Sequence, residues 1–277
     1  MPVVFNSPHS GNRYPASFVA SSRLDPLTLR KSEDALVDEL LEPVLALGAP
    51  VLKANFPRAL LDVNREPYEL DPSMFATTLP DYVNTSSLRV AGGLGTIPRV
   101  VSETDEIYSS PLSFSQAEAR IRDLYLPYHR ALERLLDEVY DAFGTVFLID
   151  CHSMPSTGLS ERGFRMRSRP DVVLGDRYGS TCSPDLVRCL EGAFREEGYS
   201  VVRNKPYAGG HITQIYSQRS EGRHTIQVEI NRALYMDEAS IQPHGGFLAL
   251  RDDLGTVFGR VLRALPDILR PTRLAAE

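Results

Sequence analysis

Two runs carry residues suited to metal chemistry: Asn6-Ser-Pro-His-Ser-Gly-Asn-Arg-Tyr-Pro and Phe147-Leu-Ile-Asp-Cys-His-Ser-Met-Pro. In each, an apolar, strand-like stretch runs into a His followed by small residues and a Pro or Gly. Each run therefore delivers one imidazole, His9 or His152, to the rim of a sheet. Neutral imidazole is a common zinc ligand, and open α/β sheets bind ligands outside the carboxyl ends of their strands. The pair points to a hydrolytic metal site.

Two further clusters supply polar groups for such a site. In Pro57-Arg-Ala-Leu-Leu-Asp-Val-Asn-Arg, Asp62 and Asn64 are two apart and share one face of a strand predicted over 60–63. Arg65 at its end can lean into a cleft and grip a carboxylate through two parallel N–H donors. In Thr225-Ile-Gln-Val-Glu-Ile-Asn-Arg, Ile226, Val228 and Ile230 alternate along one face and leave Gln227 and Glu229 on the other. Glu229, near the carboxyl end of that strand, is the candidate general base.

The elements that must position these groups follow from periodicity. Strands are predicted over 3–6, 50–53, 60–63, 145–150, 172–174, 200–203 and 225–230, and helices over 33–47, 115–143, 183–197 and 247–265. Ser32 is the N-cap expected for the first helix, and Pro127 should kink or divide the second. Between 68 and 111 lies a long stretch with little periodicity that contains Ala91-Gly-Gly-Leu-Gly-Thr-Ile-Pro-Arg, the kind of loop that often carries function. Alternation of strands and helices without repeats or low-complexity linkers predicts one α/β domain over 1–277.

Composition excludes several classes. With 36 acidic against 30 basic residues the net charge is -6, which gives no electrostatic case for nucleic acid. The three cysteines show no Cys-x-x-Cys spacing, which fits a reducing compartment and disfavours a disulfide framework. No run of about 18 apolar residues and no leader-like N-terminus is present, so a cytoplasmic protein that does not engage a membrane is expected.

Taken together the motifs resemble the N-formylglutamate amidohydrolase family, itself similar to aspartoacylase and the zinc carboxypeptidases. The resemblance runs in order through Pro8-His-Ser-Gly-Asn-Arg-Tyr-Pro, Asp62-Val-Asn-Arg, Gly93-Leu-Gly-Thr-Ile-Pro-Arg, Pro127-Tyr-His, Asp150-Cys-His-Ser-Met-Pro, Val173-Leu-Gly-Asp-Arg, Tyr207-Ala-Gly-Gly and Glu229-Ile-Asn-Arg-Ala-Leu-Tyr-Met-Asp-Glu, nearly the whole chain. It implies a three-layer α/β/α fold with a mixed central sheet, like that of the zinc carboxypeptidases, and one catalytic Zn2+ per chain.

By that likeness His9 and His152 take the places of the first and last zinc ligands. In the aspartoacylase and carboxypeptidase relatives a Glu follows the first His by three residues, but here that position is Asn12, whose carboxamide is outside the usual zinc ligand set. The third ligand is expected at the start of the helix over 33–47, at Asp34 or Glu33, with Asp34 preferred because Asp34-Ala-Leu-Val-Asp-Glu-Leu looks like the family's pattern there. The likeness further implies hydrolysis of N-formyl-L-glutamate to formate and glutamate in histidine breakdown. Water activated by zinc would attack the formyl carbon, Glu229 would move the proton, and Arg58 would stabilise the oxyanion.

A substrate with two carboxylates needs two cationic contacts beyond the metal. Asn64 and Arg65 resemble the family's pair for one, and Arg99 at the end of the Gly-rich loop is the candidate for the other. The competing readings are an amidohydrolase for another N-formyl or N-acyl amino acid, and a non-catalytic small-molecule binder on the same fold. His129 is expected to be structural, with a role in positioning the cleft as the alternative, and His211, His224 and His244 to lie at the surface or in turns, although His211 beside the double glycine could reach the pocket. Cys151, one residue before His152 on a strand, should face the opposite side and pack in the core.

Overall fold

The computed structural model describes residues 1–102, 105–156 and 170–268. Six strands form one mixed sheet: β1 (Val3–Ser7), β2 (Val51–Lys53), β3 (Val146–Met154), β4 (Val172–Gly175), β5 (Val201–Arg203) and β6 (Arg223–Asn231). Their order is β2-β1-β3-β6-β4-β5. All neighbours run parallel except β4, which is antiparallel to β6. The carboxyl ends of β1, β3 and β6 therefore open at the same edge of the sheet, and His152 stands in register beside Glu229.

Strand alternation sends side chains into two cores. Val3, Phe5, Phe147, Ile149, Cys151, Ile226, Val228 and Ile230 pack on one face beneath the helices Pro184–Glu196 and Gly246–Ile268. Phe5 meets Phe258 of the latter helix edge-on, with ring centroids 4.8 Å apart. Val4 and Leu148 point the other way, under Leu132 and Leu136 of the helix Leu126–Phe143. The layering is the expected α/β/α, and Cys151 packs opposite His152 as its position on the strand requires. Among the described residues, no helix is long and apolar enough to cross a membrane.

Three local expectations change. Residues 60–63 are not a strand: Leu60 closes a turn on Pro57, and Asp62 N–H donates to the Thr96 carbonyl and not to a sheet neighbour. The apolar run reads as a strand because Ala59, Leu60, Leu61 and Val63 are all buried, yet Asp62 Oδ1 accepts the Asn64 amide and folds the chain back on itself. The helix over 33–47 is broken into Val37–Leu40 and Glu42–Ala46, with Leu36 left-handed at φ 66° and no side-chain cap from Ser32. The amides and carbonyls of that first turn are bonded elsewhere: Asp34 N–H donates to the His9 carbonyl, and Ala35 O accepts from the Tyr235 hydroxyl.

The third change concerns Pro127. The helix Phe114–Arg120 continues through a wide π turn, Ile121–Tyr125, into Leu126–Phe143, so the missing Pro127 N–H is absorbed without dividing the rod. This segment aims three donors behind the rim of the sheet. Tyr125 Oη donates to the Arg65 carbonyl at 2.7 Å, Tyr128 Oη to Asn6 Oδ1 at 2.6 Å, and His129 Nε2 to the Val63 carbonyl at 2.9 Å.

His129 is structural, as expected, and the tautomer follows from its partners. Nε2 must carry the proton for Val63 O, leaving Nδ1 to accept from Tyr216 Oη at 2.8 Å. Burial lowers its pKa from 6.5 to about 4. The unfolded chain therefore binds a proton below pH 6.5 that the folded chain refuses, and the stabilisation by neutral His129 is lost as pH falls from 6.5 toward 4. Urea unfolding of wild type and His129→Gln at pH 7 and pH 5 is expected to show the wild-type advantage shrinking by about 1–2 kcal/mol at the lower pH. An advantage independent of pH would refute this role.

Candidate metal centre and cleft

His9 sits two residues past the end of β1, and the chain reaches it through a close approach that only glycine permits. A Cβ on Gly11 would lie 2.2 Å from the Phe56 carbonyl oxygen. His152 projects from the last turn of pleat in β3 on the face opposite Cys151. Asp34 arrives from the broken helix, tied to the His9 carbonyl by its own amide at 3.0 Å. All three are buried, and one ligand atom from each lies within 4.8 Å of the others.

The outward nitrogens of both rings are already spoken for. His9 Nε2 lies 2.7 Å from Asp62 Oδ1, and His152 Nε2 lies 3.0 Å from Asp150 Oδ2. A carboxylate can only accept, so each Nε2 is placed to donate to its carboxylate, and with a cation in the cluster each Nδ1 would offer it a lone pair. The two Nδ1 atoms converge on Asp34 Oδ2, at 3.3 Å from His9 Nδ1 and 2.9 Å from His152 Nδ1. His9 Nδ1 is buried without a hydrogen-bond partner. Two imidazole nitrogens and a carboxylate oxygen converging at the edge of the cleft are a set that could hold a catalytic divalent metal with a position left open.

Electrostatics agree with that reading. Burial alone would drive protons off His152, but Asp150 and Asp34 outweigh it and raise its pKa well above the ordinary value, so a proton takes the cation's part. Burial opposes ionisation of Asp34 and Asp62 too; hydrogen bonds and charge from the histidines, joined at Asp62 by Arg65 and Arg58, hold both well below the usual carboxylate range.

A supporting layer fixes each residue of the cluster. Asp150 Oδ1 accepts from Asn6 Nδ2 at 2.8 Å, and Asn6 in turn accepts from Tyr128, so a hydrogen-bonded chain runs from the helix to His152. Asp62 is held by Arg58 Nε at 2.9 Å and faced by Arg65 Nη2 at 3.6 Å. Arg232 clamps the turn that carries Asp34, donating to the Lys31 and Glu33 carbonyls, to Ser153 Oγ and to Asp34 Oδ1. This orients Asp34 so that Oδ2 faces the imidazoles.

Glu33 is a different kind of group. Its carboxylate is bound by Tyr14 and Arg30, and the backbone geometry gives the inward position to Asp34. Asn12 is exposed.

Glu229 is buried on the wall of the same cleft as His9, Asp34 and His152. Burial raises its pKa to about 7. Gln227 Nε2 donates to Glu229 Oε1 at 2.7 Å, while Gln227 Oε1 accepts the Gly210 amide at 2.8 Å. Glycine at 210 lets the Asn64 carboxamide pack against the backbone, since a Cβ would come within 2.5 Å of it and Asn64 would have to move.

Of the expected substrate contacts, Arg58, Asn64 and Arg65 line the cleft. Asn64 is partly committed: Oδ1 accepts the Ile212 amide at 2.8 Å, and Nδ2 lies 3.3 Å from His152 Nε2. Arg65 donates through Nε to Leu94 O and through Nη1 to Asn64 O. Arg99 is elsewhere. Its Nε pairs with Asp71 at 2.8 Å and its Nη1 with Glu106 at 3.0 Å, and it borders a separate depression with Arg23 and Tyr108. The Gly-rich loop turns it away, because Arg99 N–H is bonded back to the Gly93 carbonyl.

Lys31, Arg89, Tyr207 and Arg232 also line the cleft, and none of them is among the expected site residues. Arg232 was findable, three residues after Glu229 in Glu-Ile-Asn-Arg; Lys31 and Arg89 lie in segments without periodic or motif signals. His224 is buried on β6, not at the surface, because Thr225 and its neighbours run through the core of the sheet; His244 is exposed and His211 half-buried beside the cleft.

The fold and site define an α/β protein with a His–Asp–His cluster at the carboxyl ends of parallel strands, backed by buried carboxylates. Comparisons with known proteins agree. The model of the family described as N-formylglutamate amidohydrolase matches residues 1–236, and the chain belongs to that family. The crystal structure of N-formylglutamate amidohydrolase from Ralstonia eutropha JMP134 superposes with a TM-score of 0.91 at 36% identity, covering 97% of this chain and 95% of that one. N-formylglutamate deformylase from Pseudomonas aeruginosa is 29% identical over 273 residues, 97% of this chain and 92% of the relative. The Pseudomonas putida protein of the same name is 28% identical over 241 residues, 86% of this chain and 83% of the relative.

The ligand geometry yields a direct expectation for the metal. Titration of metal-free protein with a divalent ion, followed by calorimetry, should show Asp34→Ala losing most of its affinity and Glu33→Ala retaining it, with Asp62→Asn weakened by about 10- to 100-fold. Equal retention in Asp34→Ala and Glu33→Ala would remove Asp34 from the ligand set.

Proposed function

We propose that this protein hydrolyses N-formyl-L-glutamate to formate and L-glutamate, using one zinc ion held by His9, Asp34 and His152. The carrying observation is the convergence of His9 Nδ1, His152 Nδ1 and Asp34 Oδ2 in the cleft that Glu229 lines. Family membership supplies the substrate class. When bound, the ion supplies a Lewis acid that makes water nucleophilic near neutral pH.

The chain's own residues supply the rest. Glu229, oriented by Gln227, takes the proton from the attacking water and returns it to the amide nitrogen as the C–N bond breaks. A carboxyl raised by burial toward neutrality suits both halves of that transfer. Arg58, whose positive charge is secured by Asp62, faces the cleft and offsets the negative charge that develops on the formyl oxygen. Arg65 is assigned the α-carboxylate, since Asp62 links it to His9 and so to the reacting end of the substrate. On this reading the reaction belongs to cytoplasmic histidine breakdown, an assignment supported by the family resemblance alone.

Formate release from N-formylglutamate by purified protein, abolished by a chelator and restored by zinc, is the expected result. Glu229→Gln should lower turnover by about 100-fold or more while its zinc content stays at the wild-type level. Release of acetate from N-acetyl derivatives in preference to formate would redirect the reading to another amidohydrolase specificity. Near-normal turnover in the Gln variant would remove Glu229 from the proton transfer.

A further inference from the structure

An N-formylglutamate molecule brings two carboxylates, and with Arg99 turned onto Asp71 and Glu106 the second one lacks its expected partner. The cations of the cleft differ in how far their donors are already used. Arg58 commits Nε to Asp62 and keeps its other nitrogens for the cleft, Arg232 is spent on the Lys31–Asp34 turn, and Arg65 places Nε and Nη1 on two backbone carbonyls and leaves Nη2 3.6 Å from Asp62.

Arg89 is held differently. It rides on the short helix Leu88–Ala91, whose N-cap is Ser87 accepting the Val90 amide at 3.0 Å. The Ser87 hydroxyl also donates to Glu69 Oε1, so the helix is anchored on a buried carboxylate. Glu69 Oε2 has no hydrogen-bond partner, and Arg89 Nη1 stands 3.8 Å from it, close enough to feel its charge and too far to bond. The Arg89 side chain is 39% exposed and lines the cleft with Arg65 and Leu94.

Two guanidiniums looking into one space repel, and the Arg89 charge is among those that depress Arg65. An anion between them relieves that repulsion. We propose that Arg89 is the specificity-determining residue for the side-chain carboxylate of the substrate, working outward of Arg65, which takes the α-carboxylate. The order follows from chain length. Arg65, 11% exposed, is linked to His9 through a single carboxylate, Asp62, whereas Arg89 stands beside Glu69 and is 39% exposed, the more outward of the two and so the one suited to the longer arm of a glutamyl group. An exposed, incompletely paired guanidinium can swing onto an arriving carboxylate without breaking a bond of its own.

This inference rests on the N-formylglutamate reading, and one experiment separates the two. KM for N-formylglutamate is measured beside Ki for N-formylglutamine as a competing ligand, in wild type, Arg89→Gln and Arg89→Lys. The two ligands differ only in the side-chain charge, so a folding defect moves both and cancels in the ratio. In Arg89→Gln the ratio of KM to Ki is expected to rise about 10-fold or more, with Arg89→Lys recovering part of the difference. An unchanged ratio overturns the role of Arg89, whether or not Lys31 then proves responsible. Wild-type protein that fails to hydrolyse N-formylglutamate when loaded with zinc overturns the parent reading instead.

Discussion

Two buried carboxylates, Asp62 and Asp150, set the chemistry of this molecule by deciding where the protons of two imidazoles must be. Each accepts from an Nε2 atom, and neither can donate. Both Nδ1 atoms thereby face Asp34 Oδ2, in a buried cluster that borders the cleft. Such a cluster favours a positive charge between its members. Much of the surrounding architecture serves to keep that arrangement from relaxing.

The scaffold does so from three directions. Parallel pairing of β1, β3 and β6 brings His9, His152 and Glu229 to one edge, with His152 and Glu229 in lateral register. Arg232, at the end of β6, reaches back to hold the turn of Asp34, which gives up helical hydrogen bonds and accepts a left-handed Leu36 to stand there. The long helix behind the sheet contributes Tyr125, Tyr128 and His129, which donate to the Arg65 carbonyl, the Asn6 carboxamide on β1 and the Val63 carbonyl, behind the His–Asp–His cluster. Strain at Leu36 and irregularity at Asp62 thus lie beside the candidate chemistry, where over-determined contacts can sustain them.

The sheet was legible because its strands follow simple rules. Ile226, Val228 and Ile230 alternate, which puts Glu229 on the cleft face, and Cys151, one residue before His152 on its own strand, points the other way. The two histidines were legible as strand-end residues for the same reason. What the sequence concealed was set by long-range bonds. A stripe of Leu36, Leu40, Val44 and Leu47 looks helical however the chain is bonded, and nothing local announces that the Asp34 amide belongs to the His9 carbonyl, 25 residues away by number. Likewise the fully buried run over 59–63 imitates a strand, and Arg99 resembles a free cation until Asp71 and Glu106 are brought to it by folding. Asp62 and Asp150 were visible as residues, but their work on the far side of each ring depends on tautomer, which is a property of the assembled site.

The proton placement on the two histidines is open to one direct observation. Crystals of the zinc-loaded protein, with anomalous diffraction recorded on either side of the zinc absorption edge, should show a single strong peak bonded to Nδ1 of His9, Nδ1 of His152 and a carboxylate oxygen of Asp34, at about 2.0–2.2 Å from each, with both Nε2 atoms still on Asp62 and Asp150. Zinc bound through either Nε2 atom, or at a place that leaves Asp34 outside its shell, would contradict the arrangement on which the proposed chemistry depends.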